Sequence, residues 1–363
     1  MKMSGSLLRS AQTPVLLIGL TALIALVGSV AGPTVTRVSI VALVSVVFVA
    51  GQSAFTGNSG VMSFGHVAFM AVGAYATAYL TIPVGLKTVL FPDLPGGLGF
   101  LAQAQAGFLP AVLLSGAAAL VLGVVTAPVV ARLSGLQSGI ATLALLIIVY
   151  NVLNGWTAVT RGSSSMIGIP RNTTVGLALA FAALAIVVSW AYRRSRSGLQ
   201  LQAAREDHWA AVASGVAVGR HRAIAWVISA FLCGVAGSLY AGFLMSFNVS
   251  AFFLSATFAF IVMIVLGGYL SLSGAVIGAL VVSVLQEFLR RLQDGQFTGG
   301  SPLPAGVADL ILAAVLLVVL VKAPLGLMGV REICLPSRAR RARRGAGGSP
   351  GEKAPEEGAR VPA

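Results

Sequence analysis

Acidic side chains are scarce in this chain. Ten Asp and Glu stand among 363 residues, and all charged residues together make up 9%. A soluble domain carries about 25% charged residues, so an ordinary water-facing globule is excluded. Cysteine is nearly absent. Cys233 and Cys334 are far apart, with no metal-like or redox-like spacing, so neither a disulfide framework nor a metal site follows. Histidine is represented by three residues, and no paired carboxylates or nucleophile–base arrangement accompanies them. The expectation is a protein with no catalytic constellation, no metal and no cofactor. Lysine occurs only as Lys2, Lys87, Lys322 and Lys353, and none of them completes a G-x-x-x-x-G-K-[ST] phosphate loop. No cytoplasmic segment is long enough for a nucleotide-binding domain, so the chain is not read as an ATPase or as any other enzyme.

What the chain does have is apolar length. Hydrophobic residues make up 57% of it, in repeated uncharged runs, and about 20 such residues span a bilayer as a helix. The fold class expected is an all-α polytopic membrane protein. Ten spans are predicted, near residues 14–31, 38–56, 60–80, 108–131, 136–155, 173–192, 222–246, 250–268, 273–289 and 305–322. Gly and Pro clusters mark several joints: Gly32-Pro33, the 92–99 stretch "PDLPGGLG" and the 301–306 stretch "SPLPAG". The first run follows Lys2 and Arg9 and ends in "GSVAGP", so it reads as an uncleaved helix or as a signal sequence cut after Ala31, which would leave nine spans.

The net charge of +14 would suit nucleic acid, but its distribution argues for a membrane instead. With both termini inside, 18 of the 24 Lys and Arg fall on the cytoplasmic side and 6 outside, as the positive-inside rule requires. No nucleic-acid partner is expected; the lipid bilayer is. Residues 1–335 form the transmembrane domain, with one substantial cytoplasmic loop at 193–222. The tail 336–363, rich in Arg, Gly, Pro and Glu, reads as disordered.

One stretch departs from a plain span. "GNSGVMSFGHVAFMAVGAYA", residues 57–76, carries four Gly together with Asn58, Ser59, Ser63 and His66. Small residues let membrane helices approach closely. The alternative is a broken or re-entrant segment lining a polar path, tolerated only inside protein or beside water. "MSFGHVAFM" at 62–70 is echoed by "MSFNVSAFF" at 245–253, one in each half of the chain. An inverted repeat of two five-helix halves with interrupted helices would place them so. The candidate translocation path is therefore Gly57, Asn58, Ser59, Ser63 and His66, with Ser246 and Asn248 from the echo. Glu287 and Asp309 lie near the outer ends of their spans, and Glu287 is spaced to pair with Arg290 or Arg291.

The loop 193–222 reads "RRSRSGLQLQAAREDHWAAVASGVAVGRHR". Ser197-Gly198 is expected to break the preceding helix, and 200–214 to form one helix of strong helix formers. On a wheel Leu201, Trp209, Val212 and Val216 share a face, opposite Glu206, Ala210, Ala213 and Ala217. One reading is an amphipathic connector on the bilayer surface. The other is a docking helix held by its large apolar face and presenting its small residues to a cytoplasmic partner.

These segments together resemble the permease subunits of branched-chain amino acid ATP-binding-cassette importers over residues 40–330. The resemblance rests on "SFGHVAFMAVGAY", on "GLQSGIATLALLIIVYNVLNGW" with "TRGSSSMIGIP", and on the run from "GLQLQAAREDHWAAVASGVAVGRHR" to "IVMIVLGGYLSLSGAVIGALVV". The family's loop motif, an acidic residue, two small residues, then Ala-x-Gly, matches Glu206 or Asp207, Ala210, Ala211, Ala213 and Gly215. Three places depart from the family pattern: Thr160-Arg161-Gly162, Gly268 to Gly274, and Lys322-Ala323-Pro324. They bear on the substrate more than on the fold. The resemblance implies a multi-pass protein of the bacterial plasma (inner) membrane that imports branched-chain amino acids or a similar small polar solute such as urea or an amide. It also implies cytoplasmic ATPase subunits coupled through that motif, a second homologous permease and an extracytoplasmic solute-binding protein. An ion-gradient-driven secondary transporter is the alternative, with Glu287, Asp309 and His66 as its few candidate relays.

Overall fold

The computed structural model describes residues 3–92, 99–294, 304, 306–322, 326–329 and 332. The predicted tail beyond 336 and the "PDLPGGLG" joint from 93 onward lie outside the described residues. The helices in chain order are α1 (Met3–Val30), α2 (Pro33–Ser59), α3 (His66–Thr81), α4 (Val84–Leu90) and α5 (Gly99–Gln103). They continue with α6 (Phe108–Arg132), α7 (Gly135–Gly155), α8 (Thr157–Thr160), α9 (Val175–Arg194), α10 (Arg196–Glu206) and α11 (His208–Ala213). The remainder are α12 (Val218–Leu244), α13 (Leu254–Gly267), α14 (Leu272–Gln293) and α15 (Val307–Lys322), with a 3-10 turn at Val249–Phe252.

Among the described residues eight helices are long and apolar enough to cross a membrane: most of α1, then α2, α6, α7, α9, α12, the 3-10 turn with α13, and α14. The bent pair α3 and α4, meeting at 118°, would make a ninth. α15 is also helical where a span is predicted, but its 16 residues fall short of that length.

Local chemistry sets the helix boundaries. Pro33 starts α2, where its missing N–H costs nothing. Thr174, Ser195, Asp207 and Ser271 each accept a bond from the backbone N–H three residues on, capping α9, α10, α11 and α14. Inside the bundle α12 is the hub, packed on α2, α3 and α6. Lipid offers no hydrophobic drive between helices, so close packing and polar contacts must hold them together. A Cβ at Gly73 would strike the Gly234 backbone, and one at Gly237 the Met70 carbonyl, so α3 and α12 touch along their main chains. Beside that seam the Thr77 hydroxyl lies 2.7 Å from Ser115 Oγ and 2.6 Å from Ser238 Oγ, tying α3, α6 and α12 together.

The helices alternate between two ends of the molecule. Tyr192 Oη donates to the His221 carbonyl at 3.2 Å, which brings the close of α9 to the opening of α12. At the other extreme Thr173 N–H donates to the Gly242 carbonyl at 3.4 Å, so the two helices run antiparallel. The first end carries α10 and α11. The second carries α4, α5 and α8. Twenty-seven residues of α12 separate them, about 40 Å at 1.5 Å per residue.

Candidate functional site

The break after α9 falls at Ser195, two residues earlier than the sequence suggested. Ser195 Oγ accepts from Gly198 N–H at 3.1 Å and so opens α10 itself, while Gly198 packs so tightly on the Tyr192 carbonyl that no Cβ fits. α10 then crosses the end of α2. Leu201 and Ala204 are buried. Gln202 Nε2 donates to Asn58 Oδ1 at 2.9 Å and to the Arg193 carbonyl at 2.8 Å. Arg205 Nη1 donates to the Gly57 carbonyl at 2.6 Å and Arg205 pairs with Glu206, while its stem covers Gly60.

The expected single helix over 200–214 is two helices. Asp207, with φ −144° and ψ 107°, interrupts it because its carboxylate accepts from Ala210 N–H at 2.9 Å. That local bond competes with continued helix. A wheel drawn across the break therefore fails. Leu201 is buried at 1% exposure, but Trp209 is 80% exposed and Val212 47%. The large apolar side chains of α11 face outward instead of gripping the bundle, which corrects the expected orientation. Of the coupling residues named from sequence, Glu206, Asp207, Ala210, Ala213 and Gly215 are exposed, whereas Ala211 is buried. Gly215, at φ +80°, closes α11: its N–H bonds the Val212 carbonyl and Val216 N–H bonds the Ala211 carbonyl.

Residues 60–65 are irregular, so the span expected from 60 begins as a helix only at His66, and the broken segment offered as the alternative is present. α2 ends at Ser59, Gly60 takes φ +70° with its N–H on the Thr56 carbonyl, and α3 begins at His66. Asn58 Nδ2 donates to the Ala54 carbonyl, and Ser59 Oγ to that of Phe55. Gln52 Nε2 holds the Ser63 carbonyl at 3.0 Å, and Thr142 Oγ1 accepts from Phe64 N–H at 3.2 Å. His66 sits between Ser63 Oγ (2.8 Å) and Ser229 Oγ (2.9 Å), inside a ring of Phe55, Phe69 and Trp226. Gly57, Asn58, Ser59, Ser63 and His66 are all buried. Irregular backbone at this place is thus enclosed by protein, as the absence of water in a bilayer demands. Around it Gln52 Oε1, Thr56 Oγ1 and Ser138 Oγ are buried with no hydrogen-bond partner.

Ser246 and Asn248 lie elsewhere. They follow α12, which ends on Met245 at φ 62°, so they stand at the second end. Phe247 exchanges two backbone bonds with Met166, at 2.7 and 3.1 Å. Asn248 Oδ1 accepts from Ala251 N–H at 3.2 Å and from Ser250 Oγ at 2.9 Å, and Ser246 is exposed. The seven candidate path residues therefore do not form one cluster: Gly57, Asn58 and Ser59 lie beside α10 at the first end, Ser63 and His66 lie deeper at the level of Ser229 within α12, and Ser246 and Asn248 stand past its close at the second end.

Two other contacts were not foreseen. Glu332 accepts from the N–H groups of Leu272 and Ser273 at 2.9 and 3.0 Å, occupying the start of α14, where a carboxylate is favoured. Arg193 reaches the same carboxylate at 3.5 Å and donates to the Leu270 carbonyl at 2.8 Å. Only an acid just beyond the last span hinted at it. The pairing expected of Glu287 is present, with Arg290 at 2.9 Å and Arg291 at 2.8 Å. The Asp309 side chain lies outside the described residues.

A family model described as the permease component of the branched-chain amino acid transport system matches residues 34–320. The chain is similar to LivM, the high-affinity branched-chain amino acid transport system permease protein of Salmonella typhimurium. Identity is 29% over 285 residues, covering 67% of this chain and 61% of that protein. LivM of Escherichia coli is 28% identical over the same length and the same shares. The chain thus spans about three fifths of the length of these curated relatives. No solved structure matches it.

Proposed function

This chain belongs to the branched-chain amino acid transport permease family, and from that premise we propose that it is the membrane subunit of an ATP-driven importer in the bacterial plasma (inner) membrane. It moves branched-chain amino acids, or a similar small polar solute such as urea or an amide, into the cytoplasm by alternating access. A separate cytoplasmic ATPase supplies the energy. The observation that carries this reading is the outward surface of α10 and α11, where Trp209 (80% exposed) and Val212 stand beside Glu206, Asp207, Ala210 and Ala213. Trp is among the residue types most enriched in binding hot spots.

Motion imposed there has a stiff route inward. α10 is fastened to the end of α2 through Gln202 and Arg205, and to α9 through Gln202 on the Arg193 carbonyl. A displacement of α11 would thus reach the buried 57–66 connection and α3. The first end faces the cytoplasm in this reading, where the basic residues concentrate. Ten crossings, counting α3 and α15, return both termini to that side. The echoing segments then follow α2 and α12, which end at opposite faces, the relation that two inverted five-helix halves require. A second homologous permease completes the path, and an extracytoplasmic binding protein delivers solute at the second end.

Reconstitution tests the reading. Proteoliposomes holding this chain alone should show no leucine uptake under any proton or sodium gradient. Uptake should appear with the ATPase, the paired permease, the binding protein and internal ATP. Trp209→Glu should abolish co-purification of the ATPase while leaving membrane insertion unchanged. Gradient-driven uptake by the chain alone would replace the importer with a secondary transporter.

A further inference from the structure

A cavity of about 730 Å³ opens at the second end, within the size range of small-molecule sites. Two antiparallel helices line it with regular stripes. Thr34, Arg37, Val38 and Val41 come from α2, and Ser283, Gln286, Glu287 and Arg290 from α14. Both sets follow the three–four spacing of one helix face. Arg171 and the close of α12, Phe243 to Met245, complete the wall.

The charges in this wall do not cancel. Glu287 is already bonded by Arg290 and Arg291. Arg37 and Arg171 make no ion pair among the described residues, so the cavity keeps a surplus of guanidinium donors. Deeper on the α14 stripe, Ser283 is 6% exposed, and its hydroxyl is buried without a hydrogen-bond partner. Native structures seldom leave such a group unpaired, so the lone hydroxyl marks a place for a polar guest. It stands ten residues from the end of α14, about 15 Å inward along the helix. The opposing wall is apolar, with Val38, Val41, Phe243 and Leu244.

We propose that this cavity is an outer binding site for a free amino acid. The carboxylate of the solute is held by Arg37 and Arg171, a polar group of it reaches Ser283 Oγ, and its side chain lies along Val38, Val41 and Phe243. Planar guanidinium groups suit a carboxylate because they can donate two parallel bonds to it. The inference rests on the importer reading for its choice of solute, but the site itself is defined by these residues.

The test places a single reporter thiol in the cavity of the full chain. Cys334→Ser removes one native thiol, and Cys233, fully buried, stays unreactive. Gln286→Cys, on the cavity wall but in none of the assigned contacts, then reacts with a neutral water-soluble reagent in nanodiscs of purely zwitterionic lipid. Leucine should slow this reaction about tenfold once its concentration is about ten times its Kd. Leucinol, which lacks the carboxylate, should give no protection. Arg37→Gln with Arg171→Gln should remove the leucine effect and leave the unprotected rate unchanged. The proposal fails if the introduced thiol does not react, if leucine does not protect it, or if the double Gln variant is still protected. It fails equally if inorganic phosphate or added anionic lipid protects as well as leucine, which would make the cavity a general anion or headgroup site. No ATPase is present in this measurement. Lost protection with intact ATP-driven uptake would therefore sink the site alone, and protection with gradient-driven uptake would sink the importer alone.

Discussion

The two interrupted connections, 60–65 and 246–253, follow long helices at opposite ends and share a sequence pattern, yet they are held in different ways. The first is enclosed. Side chains of α2, α7, α10 and α12 reach into it or its flanks, and His66 is wedged between two hydroxyls and three aromatic rings. The second lies nearer the surface, pinned by one reciprocal pair of backbone bonds to Met166 and by the Asn248 cap. The difference teaches where a membrane protein can put irregular backbone. In the first connection the amides of Val61, Phe64 and Gly65 bond side-chain hydroxyls, whereas in the second a short backbone bridge and one cap serve.

Four substitutions would break or sharpen this contrast. The largest effect is expected from His66→Ala, which empties a fully buried ring site and removes both its hydroxyl contacts. We expect a loss of about 3 kcal/mol, seen as a clear drop in the thermal midpoint of the detergent-solubilised chain. His66→Asn should recover part of it. Asn248→Ala removes a cap from the looser connection and should cost about 1 kcal/mol by the same measurement. Ser246→Ala, at an exposed position, should stay within about 0.5 kcal/mol of the parent. If Asn248→Ala proved as damaging as His66→Ala, the two connections would be equally rigid and the contrast would fall.

Much of the helical layout was legible because it follows from runs of apolar residues, which a bilayer reads by length alone. Each of the ten predicted runs holds a helix, and Glu287 finds its arginines because the pairing is local. The candidate site was harder. Asp207 sits among strong helix formers, and nothing in its neighbours announces that its carboxylate will cap Ala210 and turn Trp209 outward. The polarity of the 57–66 stretch was plain, but its partners Thr142, Gln202 and Ser229 are distant in sequence and carry no pattern. The outer cavity was invisible for the same reason, since Arg37, Arg171 and Ser283 meet only after the helices have packed.

The carboxylate of Glu332 has a consequence for how the molecule is made. The first amides of α14 bond a side chain encoded about sixty residues downstream. A nascent chain leaving the ribosome therefore inserts α14 with those donors still solvated, and Arg193 stays without its counter-ion until residue 332 emerges. The tie between the close of α9 and the start of α14 is thus made late in biogenesis, after most of the bundle is in place.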